Sequence, residues 1–149
     1  AGLALDVKNR ILFACCREPT MCVILNADDG KILASLPLAG SSDGAVFNPA
    51  TMEAFSSHGN GTLTIIKENS PTSFVVEQDL QTKTGAKTCT LDPQTNRILL
   101  IAADRVPAPQ PSSPPPADKG GGPPAGAKRG RGPAMVMVPD SFTILAVGR

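Results

Sequence analysis

The sequence predicts an all-β fold and, within that class, part of a β-propeller. Three similar segments follow one another, each with an acidic or amide anchor residue after a short apolar run. The anchors are Asp6, Asn48 and Asp92, spaced 42 and 44 residues apart. A repeat of roughly 40 to 45 residues is typical of propeller blades, each a four-stranded antiparallel sheet. No apolar run approaches the roughly 18 residues of a membrane-spanning helix, so we expect no membrane span.

The chain is too short to close a ring by itself. Its 149 residues hold about three repeats, whereas closed propellers have about 4 to 8 blades. We predict blades at 1–42, 43–84 and 85–149, built on a plan of four antiparallel strands, of which the last blade lacks its fourth strand in this sequence. The expected partners are therefore the remaining blades of the same propeller or other copies of the chain. We expect the further blades to precede Ala1 and a terminal strand to pair beside residues 142–147.

The first repeat contains four apolar runs separated by turn formers. They predict strands at 2–6, 11–16, 21–27 and 32–38. The strongest turn signal is Asp29-Gly30, because glycine adopts positive φ without steric cost. This pattern predicts a complete four-stranded blade.

The second repeat follows the same plan, and the third is interrupted. Strands are predicted at 45–48, 53–58, 62–68 and 73–80, and then at 88–92 and 97–103. Residues 104–133 hold nine of the fifteen prolines and a run of three glycines. This composition buries too little apolar surface to offset the entropy of ordering, which predicts a disordered or polyproline-like insertion. The strand pattern resumes at 141–145, after a short strand at 135–138, so we expect the insertion to separate the second and third strands of the last blade.

The insertion is basic, whereas the blades are mildly acidic. Residues 105–133 carry a net charge of +4, and the remainder of the chain carries −3. The charged residues of this stretch are Arg105, Lys119, Lys128, Arg129, Arg131 and Asp118. A basic segment attracts nucleic acid or anionic surfaces. Because proline and glycine dilute these five cations, we interpret the insertion as a solvated loop and do not expect nucleic acid as a partner.

Candidate ligand-binding residues come from loops that meet at one end of the central channel of a propeller. They are Arg17, Asp43, His58 and Lys87. Asp43 and Lys87 take comparable places before the second and third inner strands, which suits a polar or anionic ligand bridging them. The alternative is that both residues cap strands or face solvent. His58 is the only histidine, so these residues cannot form a histidine-rich metal cage, and we predict no catalytic residue, metal site or cofactor.

The four cysteines do not form a metal-binding or redox motif. Cys15, Cys16, Cys22 and Cys89 contain no CxxC pair. Packing of small side chains between blades is the favoured interpretation. Around the turn at residues 17–20, symmetric pairing places Cys15 opposite Cys22. In an oxidising compartment these two cysteines could form a disulfide.

Three segments of the chain resemble the YVTN (YncE-like) family of bacterial seven-bladed propellers. They are LNADDGKI at 25–32, DPQTNR at 92–97 and SFTILAVGR at 141–149. The resemblance covers nearly the whole chain outside the insertion and implies the C-terminal three blades of such a protein. The chain departs from the family pattern at residues 6–10, where we expect a turn that is one residue shorter and lacks proline. It departs again where Asn48 replaces an aspartate.

The resemblance implies an exported protein, periplasmic or extracellular, that serves as a binding scaffold or surface protein. We therefore predict a noncatalytic scaffold that binds a ligand or protein at the channel mouth. One alternative is a metal-dependent, lactonase-like hydrolase in which Asp43, Asn48 or Asp92 helps hold a divalent cation that activates water. Another is anion or nucleic-acid binding through the basic insertion.

Overall fold

The computed structural model describes residues 1–109 and 134–148, and the regular elements in these residues are all β-strands. Among the described residues, no helix is long and apolar enough to cross a membrane. The strands are β1 (Gly2–Asp6), β2 (Ile11–Cys15), β3 (Met21–Asn26), β4 (Ile32–Pro37), β5 (Ser42–Asn48), β6 (Glu53–His58), β7 (Thr62–Ser70), β8 (Ser73–Gln81), β9 (Thr88–Asp92), β10 (Arg97–Ala102), β11 (Arg105–Pro107), β12 (Met135–Met137) and β13 (Thr143–Val147).

These strands form three successive antiparallel sheets and a short ribbon. The first sheet has the order β1-β2-β3-β4 and the second β5-β6-β7-β8. The third sheet has the order β13-β10-β9. The predicted all-β class is confirmed, and so is the four-stranded antiparallel sheet in the first two repeats. In the described residues, the third sheet has three strands, and the terminal strand expected to pair beside residues 142–147 stays a prediction.

The ribbon changes one boundary of the predicted insertion. Strand β11 lies inside the segment for which disorder was predicted, and it pairs with β12 in antiparallel register. Backbone hydrogen bonds from Ala108 N to Ala134 O, 2.7 Å, and from Val138 N to Asp104 O, 2.9 Å, continue this pairing at both ends. The prediction is therefore wrong for the residues of β11, because their backbone groups pair with the returning chain. The rest of the predicted disordered segment, residues 110–133, lies outside the described residues.

The three anchor residues build the same turn in each sheet. A side-chain oxygen of each anchor accepts a hydrogen bond from the backbone N–H two residues later. The N···O distances are 2.9 Å for Asp6, 3.0 Å for Asn48 and 3.0 Å for Asp92. These Asx turns explain why an acidic or amide residue recurs at the end of each first strand.

Each of these turns closes with a residue in the left-handed region. The φ angles are 58° at Arg10, 54° at Met52 and 54° at Asn96. The pairs that flank the turns are Asp6 with Ile11, Asn48 with Glu53 and Asp92 with Arg97. The three turns are thus equal in length, and the expectation of a shorter first turn is wrong.

The first strands of the sheets lie side by side. Strand β1 contacts β5, and β5 contacts β9. The two backbones approach closely at Gly2, where an added Cβ would lie 2.5 Å from the backbone nitrogen of Ala45. A side chain at this position would therefore force the two strands apart.

Two apolar cores lie between successive sheets. The first joins the first and second sheets, and in it the ring of Phe13 stacks on Phe47 at 5.5 Å and meets Phe74 edge-on at 6.0 Å. The second joins the second and third sheets. Its fully buried members include Leu63 and Leu100. The second sheet is consequently covered on both faces, and every residue of β6 is buried.

The first and third sheets each leave one face uncovered. Leu3 and Leu5 of β1 are 67% and 38% exposed. Ile101 of β10 and Ile144 of β13 are 43% and 62% exposed. Apolar side chains therefore line the outer face at both ends of the stack.

Candidate functional site

A charged cluster lies where the loops between sheets meet the turn between β2 and β3. Arg17, in that turn, forms an ion pair with Asp43 at the beginning of β5. The Nε of Arg17 also donates to the carbonyl of Ser42 at 3.2 Å. The Arg17 side chain is 61% exposed, whereas that of Asp43 is only 14% exposed. The guanidinium thus covers a carboxylate that is mostly withdrawn from solvent.

Lys87 approaches the same carboxylate from the third repeat. A Cβ added at Gly59 would lie 3.0 Å from Asp43 Oδ2 and 3.0 Å from Lys87 Cε. The hydroxyl of Ser57 donates to the carbonyl of Lys87 at 2.6 Å, which fixes the backbone there. Arg17 contacts Asp43, and Asp43 and Lys87 both flank Gly59, so three of the four predicted site residues lie near one another, each from a different repeat. We call Arg17, Asp43 and Lys87 the charged rim.

The charged rim presents hydrogen-bond donors to solvent around a shielded acceptor. Arginine offers five N–H donors in a planar fork suited to carboxylates and phosphates. Arg17 Nε donates to Ser42 and one Nη donates to Asp43, while the side chain is 61% exposed, so its remaining N–H donors can reach a ligand from solvent. The arrangement can therefore bind a polar or anionic group.

The fourth predicted residue, His58, is separated from the surface. Its side chain is fully buried, with Nδ1 2.9 Å from Thr62 Oγ1 and Nε2 3.1 Å from Ser56 Oγ. Burial lowers the pKa of His58, and the carboxylates of Asp79 and Asp43 only partly offset this effect. The imidazole is therefore uncharged near pH 7. Because it is also buried, it does not contact a ligand from solvent.

His58 belongs to a buried polar network that the sequence interpretation missed. The hydroxyl of Ser56 donates to Ser42 Oγ at 3.0 Å. Nearby, Thr64 Oγ1 donates to Asp79 Oδ1 at 2.6 Å. The sequence signal was the alternation of Ser56 and His58 in β6, whose other residues are Glu53, Ala54, Phe55 and Ser57. This network satisfies polar groups between the first two sheets and positions the backbone below the charged rim.

A second unpredicted polar contact lies at the opposite end of the sheets. Glu68 at the end of β7 is 2% exposed, and its Oε1 accepts a hydrogen bond from Asn9 Nδ2 at 2.8 Å. Burial raises the pKa of Glu68, and the neighbouring carboxyl of Asp6 raises it further. No sequence signal identified this contact, because it depends on how the second sheet packs against the first turn.

Cys15 and Cys22 occupy directly paired positions on β2 and β3. Both are buried free thiols, and their sulfur atoms are 3.4 Å apart. The hydrogen bond with Cys15, together with burial, raises the pKa of Cys22 far above its usual range. Cys22 is therefore an unreactive thiol at neutral pH, and the disulfide between the two cysteines stays a prediction.

The three residues named for the hydrolase alternative, Asp43, Asn48 and Asp92, do not converge. Asp43 and Asn48 lie near opposite ends of β5, which places them roughly 17 Å apart along the strand. Both Asn48 and Asp92 bond within their own turns. In residues 1–109 and 134–148, no group of three or more histidine, cysteine, aspartate or glutamate side chains could hold a metal ion.

A cavity of about 530 Å³ lies between the second and third sheets, beside the turns that follow β5 and β9. Its apolar lining includes Phe55 of β6, Ile65 of β7, Leu80 of β8 and Val147 of β13. Phe55 and Ile65 belong to the core between these two sheets. The cavity is therefore an extension of that core toward the edge of the third sheet.

Comparisons with known proteins support the architecture. No family model and no curated protein matches the chain. Hydrazine synthase from Kuenenia stuttgartiensis is similar in structure, with a TM-score of 0.59, 12% identity and coverage of 68% of this chain and 29% of that chain. A chain of the mitotic checkpoint complex is similar with a TM-score of 0.57, 16% identity and coverage of 66% of this chain and 32% of that chain.

Both of these solved structures contain β-propellers. At such low identity the similarity shows the fold alone, so the three sheets form a β-propeller-like stack. The chain spans about a third of the length of the solved chains that it matches.

Proposed function

We propose that the chain is part of a noncatalytic propeller scaffold whose charged rim binds a polar or anionic ligand, or a protein that presents such a group. One observation carries the proposal: three successive repeats bring Arg17, Asp43 and Lys87 to one place. Loops that meet on a rigid β-scaffold are frequent binding sites, because the sheets hold them in position at little entropic cost.

The proposed scaffold extends beyond these three sheets, as the resemblance to the seven-bladed YVTN propellers suggests. Further blades or other copies of the chain would cover the outer faces. The pairing register supports this extension: Leu5, Leu12 and Leu25 form a row on the outer face of the first sheet. The corresponding row of the second sheet is Phe47, Ala54 and Ile66, and it packs against the first sheet.

An exported location, periplasmic or extracellular, belongs to the same proposal. It rests on the family resemblance, and it gives the paired thiols a compartment in which they can oxidise. Cys15 and Cys22 then form a disulfide that lowers the intact mass by two hydrogen masses. Intact-mass measurement of protein secreted into the periplasm, with and without reductant, tests this; an unchanged mass contradicts the bridge.

Binding at the charged rim is tested by NMR titration of the full chain with sodium phosphate and with acetate at constant ionic strength. We expect saturable shifts of the Arg17 side-chain Nε–H and the Gly59 amide. The double variant Arg17→Ala, Lys87→Ala should lose them. Arg10→Ala is the matched control, because Arg10 forms an exposed ion pair with Asp28 away from the rim. Equal loss in both variants, or no saturable shift in the wild type, would contradict the proposal.

A further inference from the structure

Two carboxyl groups are buried together between the first and second sheets. Asp6, at the end of β1, is 1% exposed, and Glu68, near the end of β7, is 2% exposed. They lie two residues from Ala4 and Ile66 respectively, and both of these residues belong to the core that joins the two sheets. All four strands of each of these sheets are present, so this junction is complete.

Each of the two carboxyl groups has one oxygen with a hydrogen-bond donor and one without. Asp6 Oδ1 accepts from the backbone N–H of Lys8 at 2.9 Å, and Glu68 Oε1 accepts from Asn9 Nδ2 at 2.8 Å. Asp6 Oδ2 and Glu68 Oε2 are both buried, and neither has a hydrogen-bond partner among the residues that the structure describes. A buried polar atom without a partner is unfavourable, so these two oxygens require a donor.

The charged groups around the pair are directed elsewhere. Those on the surrounding turn and strands are Lys8, Arg10, Glu53 and Lys67. Arg10 forms an ion pair with Asp28, and Lys67 donates to the carbonyl of Thr51. Lys8 is exposed, whereas Glu53 pairs with Lys67 and so lies on the opposite face of the sheet from Glu68. Two ionised carboxylates would therefore repel each other here without a compensating cation, which favours a single negative charge.

We propose that Asp6 and Glu68 share one proton, and that this carboxylic acid and carboxylate form a pH-sensitive contact between the first turn and the second sheet. The O–H of Glu68 Oε2 donates to Asp6 Oδ2, so one proton provides a partner for both oxygens. The same proton removes one of two buried charges and leaves a charge-assisted hydrogen bond, which is stronger than a neutral one.

The shared proton makes this junction weaken as the pH rises. Burial is the main cause that raises the pKa of Glu68; the Asn9 amide opposes it, and the adjoining carboxyl of Asp6 adds to it. The contact therefore stabilises the folded state fully below the ordinary pKa of 4.5, and this stabilisation is lost as the pH rises through the higher folded value. Loss of the proton leaves two carboxylates together at the end of the sheets opposite the charged rim.

The second turn shows that the turn itself does not need a carboxylate. Its anchor Asn48 accepts the equivalent hydrogen bond from Ala50 through an amide oxygen. Asp6→Asn should therefore keep the first turn, while its Nδ2 gives Glu68 Oε2 a permanent donor. A donor to the ionised form lowers the pKa of a carboxyl group, so this variant separates the shared proton from the turn.

The test is a pH titration of the full chain by carbon NMR, in which the side-chain carboxyl carbon of Glu68 is observed from pH 3.5 to 9. In the wild type we expect its transition above pH 4.5, and the amide of Lys8, but not that of Ala50, should shift with it. Asp6→Asn should lower the midpoint by at least about one pH unit. Asp29→Asn is the matched control, because Asp29 accepts the same type of turn hydrogen bond in the exposed turn after β3, and it should leave the midpoint unchanged.

A second variant tests the effect of the contact on stability. In Glu68→Gln, the side-chain amide can donate to Asp6 Oδ2 while its oxygen still accepts from Asn9. Urea unfolding should show that the wild type loses stability relative to Glu68→Gln as the pH rises from 4.5 through the Glu68 transition, with a constant difference above it. The proposal is overturned if Glu68 ionises at or below pH 4.5, if Asp6→Asn leaves its midpoint unchanged, or if native mass spectrometry finds a metal ion that both variants lose. Should Glu68→Gln fail to fold, the comparison of wild type with Asp6→Asn decides.

Discussion

The second sheet and the first sheet have similar apolar residues on equivalent faces but different surroundings. Ile66 of the second sheet is fully buried, because the first sheet covers it. Its counterpart Leu25 lies on the outer face of the first sheet and is only partly buried. The difference shows that burial at a repeated position depends on whether a neighbouring sheet is present.

The same difference follows from the way in which successive sheets pack on one another. Each sheet offers one face to the preceding sheet and the other to the following one, so only a sheet between two others has both faces buried. Repeat proteins of this kind are stabilised mainly by contacts between neighbouring units. The first and third sheets each pack against one neighbouring sheet among the described strands, so one face of each is uncovered.

The largest expected difference comes from truncating equivalent side chains in the two sheets. Ile66→Ala should lower the free energy of unfolding by about 2 to 5 kcal/mol, because it leaves a cavity in the core. Leu25→Ala should cost less than about 1 kcal/mol, because water already reaches the site. Urea unfolding of both variants measures the difference, and equal losses would show that the first sheet is covered in solution.

The next largest effect is a dependence of stability on pH, which we assign to the buried His58. Because the folded state lowers the pKa of His58 below its ordinary value of 6.5, the unfolded chain binds a proton more readily. Stability should therefore be fully present above about pH 6.5 and decline as the pH falls, with a limiting slope of about 1.4 kcal/mol per pH unit. His58→Gln should abolish this slope between pH 7.5 and 5.5 in urea unfolding experiments.

Glu68 changes stability with pH in the opposite direction to His58. The pH profile of wild type must therefore be compared with that of His58→Gln. Its raised folded pKa means that the folded state holds the proton more tightly. Stability from Glu68 is therefore present below its ordinary pKa of 4.5 and declines as the pH rises through the higher folded value. Since wild type and His58→Gln share Glu68, its contribution cancels. An identical pH profile in the two proteins would contradict the role assigned to His58.

A smaller effect, a gain in stability, is expected from replacing Met52 in the turn after β5. Met52 has a φ of 54°, and its counterpart in the third turn is Asn96, also at 54°. Asparagine tolerates the left-handed region better than methionine does. Met52→Asn should therefore raise the free energy of unfolding by up to about 1 kcal/mol, measured by thermal or urea unfolding. Asn96→Met should lower it by a similar amount, and a loss of stability in Met52→Asn would contradict the turn interpretation.

The smallest effect on stability is expected on the uncovered faces. Leu5→Ser and Ile144→Ser should each change the unfolding free energy by less than about 0.5 kcal/mol, because both side chains are exposed. If these faces receive further sheets or copies, the substitutions should also reduce any concentration-dependent association in sedimentation experiments. Association that is unaffected by both substitutions would place the contact elsewhere.

Much of the local structure was predictable, because it depends on short stretches of sequence. The anchors Asp6, Asn48 and Asp92 bond to amides two residues away, so the same residue type gives the same turn in all three repeats. Strand alternation likewise follows from adjacent residues. The ribbon of β11 and β12 was only partly predictable, because one of its strands lies in a segment whose composition indicates disorder.

The candidate site was predictable only in part. Counting from the anchors placed Asp43 and Lys87 at comparable positions, and the structure brings both beside Gly59. The same counting selected His58, which is instead enclosed by Ser56 and Thr62. Sequence spacing gives the position of a residue along a strand, whereas access to its side chain depends on what packs above it.

The sequence by itself determined the all-β class, the repeat, the turns and nearly all strand positions, because hydrogen bonds and side-chain alternation within a few residues specify them. Only the tertiary structure decided which equivalent faces are buried, that Glu68 meets Asn9, and that a cavity lies beside β13. These features arise between residues far apart in the chain, where the packing of one sheet on the next, and not local preference, determines which side chains meet.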